Sequence, residues 1–239
     1  MMRRLLLSVL LAAAAHAADK PNVLFIAVDD LKPMLGCYGD PVIKSPHIDR
    51  LARQGTTFLN AHCQQAVCGP SRASLLNGLR PDTTRVWDLK TRLRDQLPEV
   101  VTLPQHFKRN GYESVGLGKI FDPRSVDGYA KSDPASWSRP YVQTPENPAS
   151  QMGFVNPAFV DRAKEAKKKS RGNWNKMKDA LGGIPAVEID QEVPDDAYDD
   201  GIYTDKAVEL IEELSKGDKP FFLAVGFKKP HLPFVAPKK

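Results

Sequence analysis

Hydrophobic positions along this chain fall into a few short runs separated by long polar stretches. Residues 22 to 28 read Asn-Val-Leu-Phe-Ile-Ala-Val and stop at Asp29-Asp30. A continuous apolar run of this length predicts a parallel strand buried on both faces, with two carboxylates at its carboxyl end. Ser45-Pro46 then offers an N-cap and a first-turn proline, Ile48 and Leu51 an apolar stripe, and Gly55 a helix stop. Strand, loop and helix in that order open an α/β fold.

The alternation continues downstream. Pro70 to Gly78 predicts a short helix, Leu103 to Asn110 another that ends at Gly111, and Glu113 to Leu117 a strand leading to Gly118-Lys119. Ala207, Leu210, Ile211 and Leu214 share one helical face, with Thr204 as the cap and Gly217 as the stop. Pro220 to Phe227 predicts one more buried strand, whose carboxyl end delivers Lys229-Pro230-His231. Between Asp122 and Asp200, Pro, Ser, Asn and charge dominate without sustained periodicity, which predicts an irregular surface region. Within it a basic run, Arg162 to Lys178, precedes an acidic one, Glu188 to Asp200. Solvated faces account for such runs, with a lip that attracts a polyanionic substrate as the alternative.

The extreme amino terminus is set apart from the fold. Arg3 and Arg4 precede the apolar run Leu5 to Ala15 and then Ala15-His16-Ala17, the three-part pattern of a secretory signal peptide over residues 1–17, cleaved near Ala17. The run falls short of the roughly 20 apolar residues of a membrane span, so no stable membrane insertion is expected. The mature chain, 18–239, is then secreted or periplasmic. Its 41% hydrophobic content is ordinary for a globular protein. Removing Arg3 and Arg4 lowers the formal net charge from +5 to +3, too small and too dispersed to argue for nucleic acid. Three cysteines in an exported chain cannot all pair with one another, so at least one stays free, bonds another chain or is chemically altered.

The densest chemistry lies in Cys68-Gly69-Pro70-Ser71-Arg72, which runs into a predicted helix. A residue at a helix amino terminus meets unpaired N–H groups and the positive end of the helix dipole, so an anion is stabilised there. Arg72, one turn on, could add a guanidinium to a sulfate or phosphate oxygen or to the nucleophile itself. The residues alone also allow a small buried cysteine before a proline-capped helix. They likewise allow Asp29-Asp30 as a turn or cap, Lys119 as surface charge and His231 as a loop histidine.

Longer matches narrow these choices. Pro21-Asn22-Val23-Leu24 through Val28-Asp29-Asp30-Leu31, Gly36-Cys37-Tyr38-Gly39-Asp40, Ser45-Pro46-His47-Ile48-Asp49, and Gln64-Gln65-Ala66-Val67-Cys68 through Arg80-Pro81-Asp82-Thr83-Thr84-Arg85 occur in order. Gly118-Lys119 and Pro220-Phe221-Phe222 through Lys229-Pro230-His231-Leu232-Pro233-Phe234 follow. On these segments the chain resembles the sulfatase family, most closely its iduronate-2-sulfatase branch, over nearly all of the mature sequence and least from 122 to 200.

The resemblance implies an alkaline-phosphatase-like α/β sandwich with a mostly parallel central sheet, of which 18–239 is the amino-terminal part. It implies that Cys68 is oxidised to formylglycine by a formylglycine-generating, sulfatase-maturing enzyme. The hydrated aldehyde attacks the sulfur of a sulfate ester, on a saccharide or another alcohol. Calcium is held by Asp29, Asp30 and the residue made from Cys68. Arg72 belongs to the catalytic set, and Lys119 and His231 contact the sulfate; Lys229 beside them is structural or peripheral. Phosphoester or phosphonate hydrolysis by the same superfamily, or a non-catalytic remnant, are the alternative readings.

Two departures from the family pattern matter. Asp122 stands where the iduronate branch has a histidine three residues after the active-site lysine. Its carboxylate repels a sulfate unless it is protonated, paired with a lysine or turned away. The family pattern also continues past Lys239 with further calcium ligands and another lysine, so the isolated chain is expected to be a truncated, inactive form.

Overall fold

In a computed structural model, residues 20–126, 132–142 and 153–238 are described; the expected leader lies outside them. The elements run in chain order β1 (Val23–Val28), α1 (Pro46–Gln54), α2 (Cys68–Asn77), α3 (Pro81–Thr84), α4 (Leu93–Gln96), α5 (Leu103–Arg109) and β2 (Glu113–Gly118). They continue with α6 (Pro157–Lys169), α7 (Trp174–Ala180), β3 (Val187–Glu188), α8 (Asp199–Leu214), β4 (Phe221–Phe227) and β5 (Phe234–Val235).

The apolar run Phe221–Phe227 forms the central strand, as an unbroken run should when both faces are covered. β1 and β2 flank β4 in parallel, with Val23 opposite Phe222 and Glu113 opposite Phe221. Because all three strands run the same way, their carboxyl ends emerge on one edge. That edge carries Asp29, Lys119 and the turn after Phe227. On one face α8 sets Ala207, Leu210 and Leu214 against Val115, Leu117, Leu223 and Val225. On the other, Leu76 of α2 joins Ile120, Phe121, Trp137, Phe222 and Ala224, with Phe107 of α5 stacked 4.5 Å from Phe222. The result is a helix, sheet, helix layering with an apolar core on each face.

Several sequence expectations need correction. β1 is not buried on both faces: Phe25 and Ala27 join the core, while Leu24 is 47% and Ile26 51% exposed. Among the described residues β1 pairs only with β4, and the layer built on α8 does not extend over it. Ser45 and Pro46 take the expected N-cap and first-turn positions of α1, but the Ser45 hydroxyl makes no cap bond: it donates to Asp49 Oδ1 at 2.9 Å and accepts the Gly36 N–H at 3.0 Å. Ile48 and Leu51 are exposed rather than packed. Thr204 is not the cap of α8, which begins at Asp199 and carries Asp199 and Asp200 in its first turn, where the helix dipole favours carboxylates. Thr204 instead donates its hydroxyl to Asp200 O one turn back.

The stretch read as irregular holds two helices with a core of their own. Asn156 and Asn173 cap α6 and α7 by accepting the Phe159 and Lys176 N–H groups. Phe159, Ala163, Ala166 and Met177 pack with Phe154, Leu181, Tyr198 and Val235. Glu188, buried, accepts from Val155 N at 2.8 Å, Asn156 N at 3.0 Å and Tyr198 Oη at 2.8 Å, and so ties the segment before α6 to β3. The lysines of the basic run lie mostly on the solvated side, as expected. Among the described residues no helix is long and apolar enough to cross a membrane.

Candidate active site

Two glycines bring the strand ends together. A Cβ on Gly118 would strike Gly226 O and one on Gly226 would strike the Lys119 backbone, so only glycine lets β2 and β4 approach this closely. Gly118 also has φ +73°, a left-handed turn that releases Lys119 from the strand. The Lys119 N–H donates to Gly226 O at 2.7 Å, and the Asp29 N–H to Phe227 O at 3.1 Å. The main chain at both residues is thereby fixed to the central strand.

Cys68 is the first residue of α2, half-buried, with Val67 extended as its N-cap. Gly69 follows because a Cβ there would collide with Ser125 Oγ. The Cys68 thiol donates to Asp122 Oδ2 at 3.0 Å. Asp122, 1% exposed, is gripped by Arg124, whose Nε donates to Oδ1 at 2.9 Å and Nη2 to Oδ2 at 2.8 Å. Nη2 also lies 3.3 Å from Cys68 Sγ. Lys119 Nζ is 3.9 Å from Asp122 Oδ2 and bonds Asp29 Oδ2. A continuous chain of contacts thus runs from Cys68 through Asp122 and Lys119 to Asp29.

Arg72 goes inward. Its guanidinium donates to Asp29 Oδ1 at 2.9 Å, to Ile120 O at 3.0 Å and to Lys119 O. It reaches the carboxylate and the strand end, and its described contacts do not include Cys68. The sequence offered sulfate or the nucleophile as its partner; in the structure its described partners are Asp29 and the backbone at the end of β2. His231 and Asp30 form a looser pair, Nε2 to Oδ2 at 3.9 Å, both partly exposed, with Asp30 in the left-handed region at φ 57°. Lys229 braces the same loop by donating Nζ to His231 O at 3.1 Å and Pro233 O at 2.5 Å. The backbone N–H groups of Lys228 and Lys229 are received by Asp200.

The charges follow from these partners. Burial acts to raise the Asp122 carboxyl, but hydrogen bonds from Arg124 and the Cys68 thiol overcome it and hold the group far below the usual carboxylate range. Asp29 is likewise lowered, burial being outweighed by Lys119 and Arg72. The Cys68 thiol is raised by burial and then by Asp122, against the opposing pull of Lys119 and Arg124. It therefore remains a thiol at neutral pH, unlike the depressed thiols that act directly as nucleophiles. Asp29 and Asp122 are shared among Arg72, Lys119 and Arg124, so this linked cluster carries one net positive charge, which suits an anionic ligand.

Arg124 was not singled out from the sequence, and it settles the difficulty posed by Asp122. The carboxylate is neutralised chiefly by an arginine two residues on, with Lys119 as the more distant partner. An Asp-Pro-Arg sequence, whose turn can return the arginine to its own aspartate, was the available signal.

Calcium takes six to eight oxygens. Asp29 and Asp30 are hard carboxylate donors of the right kind. Both oxygens of Asp29, however, are held by cations, and among the described residues no three His, Cys, Asp or Glu side chains converge as a metal site. Among the described residues these oxygens are too few to hold the ion. An aldehyde in place of the Cys68 thiol does fit: the position is half-accessible, ringed by polar groups, and beside donors able to hold an added oxygen.

A parallel sheet with a charged cluster at its carboxyl edge is the arrangement at which open α/β folds bind ligands. The Sulfatase family profile matches residues 21–239, and the chain belongs to that family. It is 41% identical to iduronate 2-sulfatase of Mus musculus over 228 residues, 95% of this chain and 38% of that protein. The chain thus spans well under half the length of this relative. Among solved structures, a 2-O GAG sulfatase aligns with TM-score 0.52 and 26% identity, over 89% of this chain and 35% of the other. Phosphonate monoester hydrolase of Agrobacterium radiobacter aligns with TM-score 0.54 and 28% identity, over 92% and 43%. These neighbours carry the alkaline-phosphatase-like fold that the sequence motifs implied.

Proposed function

We propose that the protein containing this chain hydrolyses a sulfate ester on a saccharide, using a formylglycine made from Cys68. The observation that carries the reading is the placement of Cys68 at the start of α2, against Asp122 and Arg124 and in line with Lys119 and Asp29. The export signal at residues 1–17 suits a protein that meets its maturing enzyme and its substrate outside the cytoplasm.

Maturation converts the cysteine –CH2–SH and water into –CHO and hydrogen sulfide, with two protons and two electrons passing to an oxidant at the maturing enzyme. The hydrated aldehyde supplies one oxygen to attack sulfur while the alcohol leaves with a proton, and a second whose deprotonation re-forms the carbonyl and releases sulfate. Lys119 offers a point charge to the sulfate, held in place by Asp29. Arg72 fixes both the Asp29 carboxylate and the backbone that carries Lys119. His231, 3.9 Å from Asp30, is assigned the role of donor to sulfate or to the departing alcohol. Calcium remains an expectation from the family resemblance, and no role assigned to these residues is routed through it.

The test is turnover of an aryl sulfate by the full-length protein co-produced with a maturing enzyme. Cys68→Ala is expected to lower kcat by about 10^4-fold or more with the fold unchanged. Equal turnover by that variant would refute the reading. The likeness to a phosphonate monoester hydrolase supports a second one, transfer to phosphorus. A higher kcat/KM for an aryl phosphonate than for the sulfate would favour it.

A further inference from the structure

We infer that Arg124 is a substrate-contact residue, presenting its guanidinium to the oxyanion attacked at position 68, with Asp122 as its holder. The inference rests on the sulfatase reading and assigns the group that meets the sulfuryl oxygens. A contrast between two arginine–aspartate forks carries it. Arg94 grips Asp133 in the same two-point manner, Nε to Oδ1 at 2.5 Å and Nη2 to Oδ2 at 2.8 Å. Its remaining donors are consumed internally, Nη1 by Pro98 O and Val100 O and Nη2 also by Gln105 Oε1. That fork is a structural clasp.

Arg124 is arranged otherwise. Its carboxylate is buried, yet the arginine side chain is 52% exposed. Nε and one Nη2 proton secure Asp122, Nη2 also faces Cys68 Sγ, and Nη1 has no partner among the described residues. The Arg124 N–H also donates to Asp122 Oδ1 at 3.0 Å, so the turn itself sets the orientation. A buried anion thus holds an exposed cation beside the nucleophilic position. A sulfuryl group joined to an oxygen at that position would meet Nη2, 3.3 Å from the present sulfur, with Nη1 on the same fork. Guanidinium suits this task because its planar fork bonds two oxygens at once while keeping its charge.

Removing Arg124 also exposes the site to an uncompensated Asp122, so the test must separate contact from neutralisation. Binding of inorganic sulfate to the unmodified thiol form is measured calorimetrically. KM and kcat for an aryl sulfate are measured on the matured full-length protein. The set is wild type, Arg124→Lys, Arg124→Ala and the double variant Asp122→Asn with Arg124→Ala. Arg124→Ala is expected to weaken sulfate binding and raise KM by about tenfold or more, the scale of one charge-assisted hydrogen bond, with Arg124→Lys intermediate. The double variant is expected to stay at least severalfold weaker than wild type.

Full recovery in the double variant would show that Arg124 merely cancels Asp122, and an unchanged sulfate affinity in folded Arg124→Ala would show that it does nothing there. Either overturns the assignment. Absence of turnover in wild type, with sulfate binding still dependent on Arg124, would refute the sulfatase reading while upholding the contact.

Discussion

Buried carboxylates serve two different ends in this molecule. At the sheet edge, Asp29 and Asp122 are satisfied by the side-chain cations of Arg72, Lys119 and Arg124. In the cluster around α6 and α7, Glu188 is satisfied by two backbone N–H groups and the Tyr198 hydroxyl, all neutral donors. The neutral arrangement ties two segments together and has nothing to offer an incoming anion. The ionic one stores positive charge beside a reactive position, at the desolvation cost that any buried ion pair carries. The difference separates a clasp from a site.

Breaking the ionic cluster from one side should cost most. Arg72→Leu leaves Asp29 buried with Lys119 alone and removes three hydrogen bonds, so a loss of about 3–5 kcal/mol is expected in urea unfolding. Glu188→Gln keeps one acceptor for neutral donors and should cost about 1–2 kcal/mol, with turnover per folded molecule unchanged. A larger loss for Glu188→Gln than for Arg72→Leu would erase the distinction.

The smallest effect is in pH dependence. Asp122 is depressed in the folded state, so its contribution to stability is present above the unfolded carboxylate value, about 4, and fades as pH falls towards its folded value. Asp122→Asn should therefore flatten the acid limb of a stability–pH curve measured by chemical denaturation. An unaltered limb would show that Asp122 is not charge-paired in the fold.

The same contrast explains what could be read from the residues. β4 and the body of α8 were legible because a continuous apolar run and a Leu210–Leu214 repeat leave little choice of structure, and β2 because Val115 and Leu117 alternate between Gly111 and Gly118. The exposed face of β1 was not, because burial depends on neighbours that a local pattern does not name. α6 and α7 escaped notice because few buried positions, Phe159, Val160, Ala163, Ala166 and Met177, are scattered among many lysines, a weak periodic signal, although Asn156-Pro157 offered a helix start. Cys68, Lys119 and Asp29 were assigned by motif and lie in one contact network. The inward turn of Arg72 and the grip of Arg124 on Asp122 are tertiary facts, invisible until the strand ends meet α2.

The central claim concerns one side chain. Mass analysis of the peptide bearing position 68, with an aldehyde-reactive label, should be made on full-length protein that hydrolyses an aryl sulfate. The account predicts an aldehyde at Cys68 whose abundance rises with specific activity across preparations. An active preparation carrying only the intact thiol would contradict it.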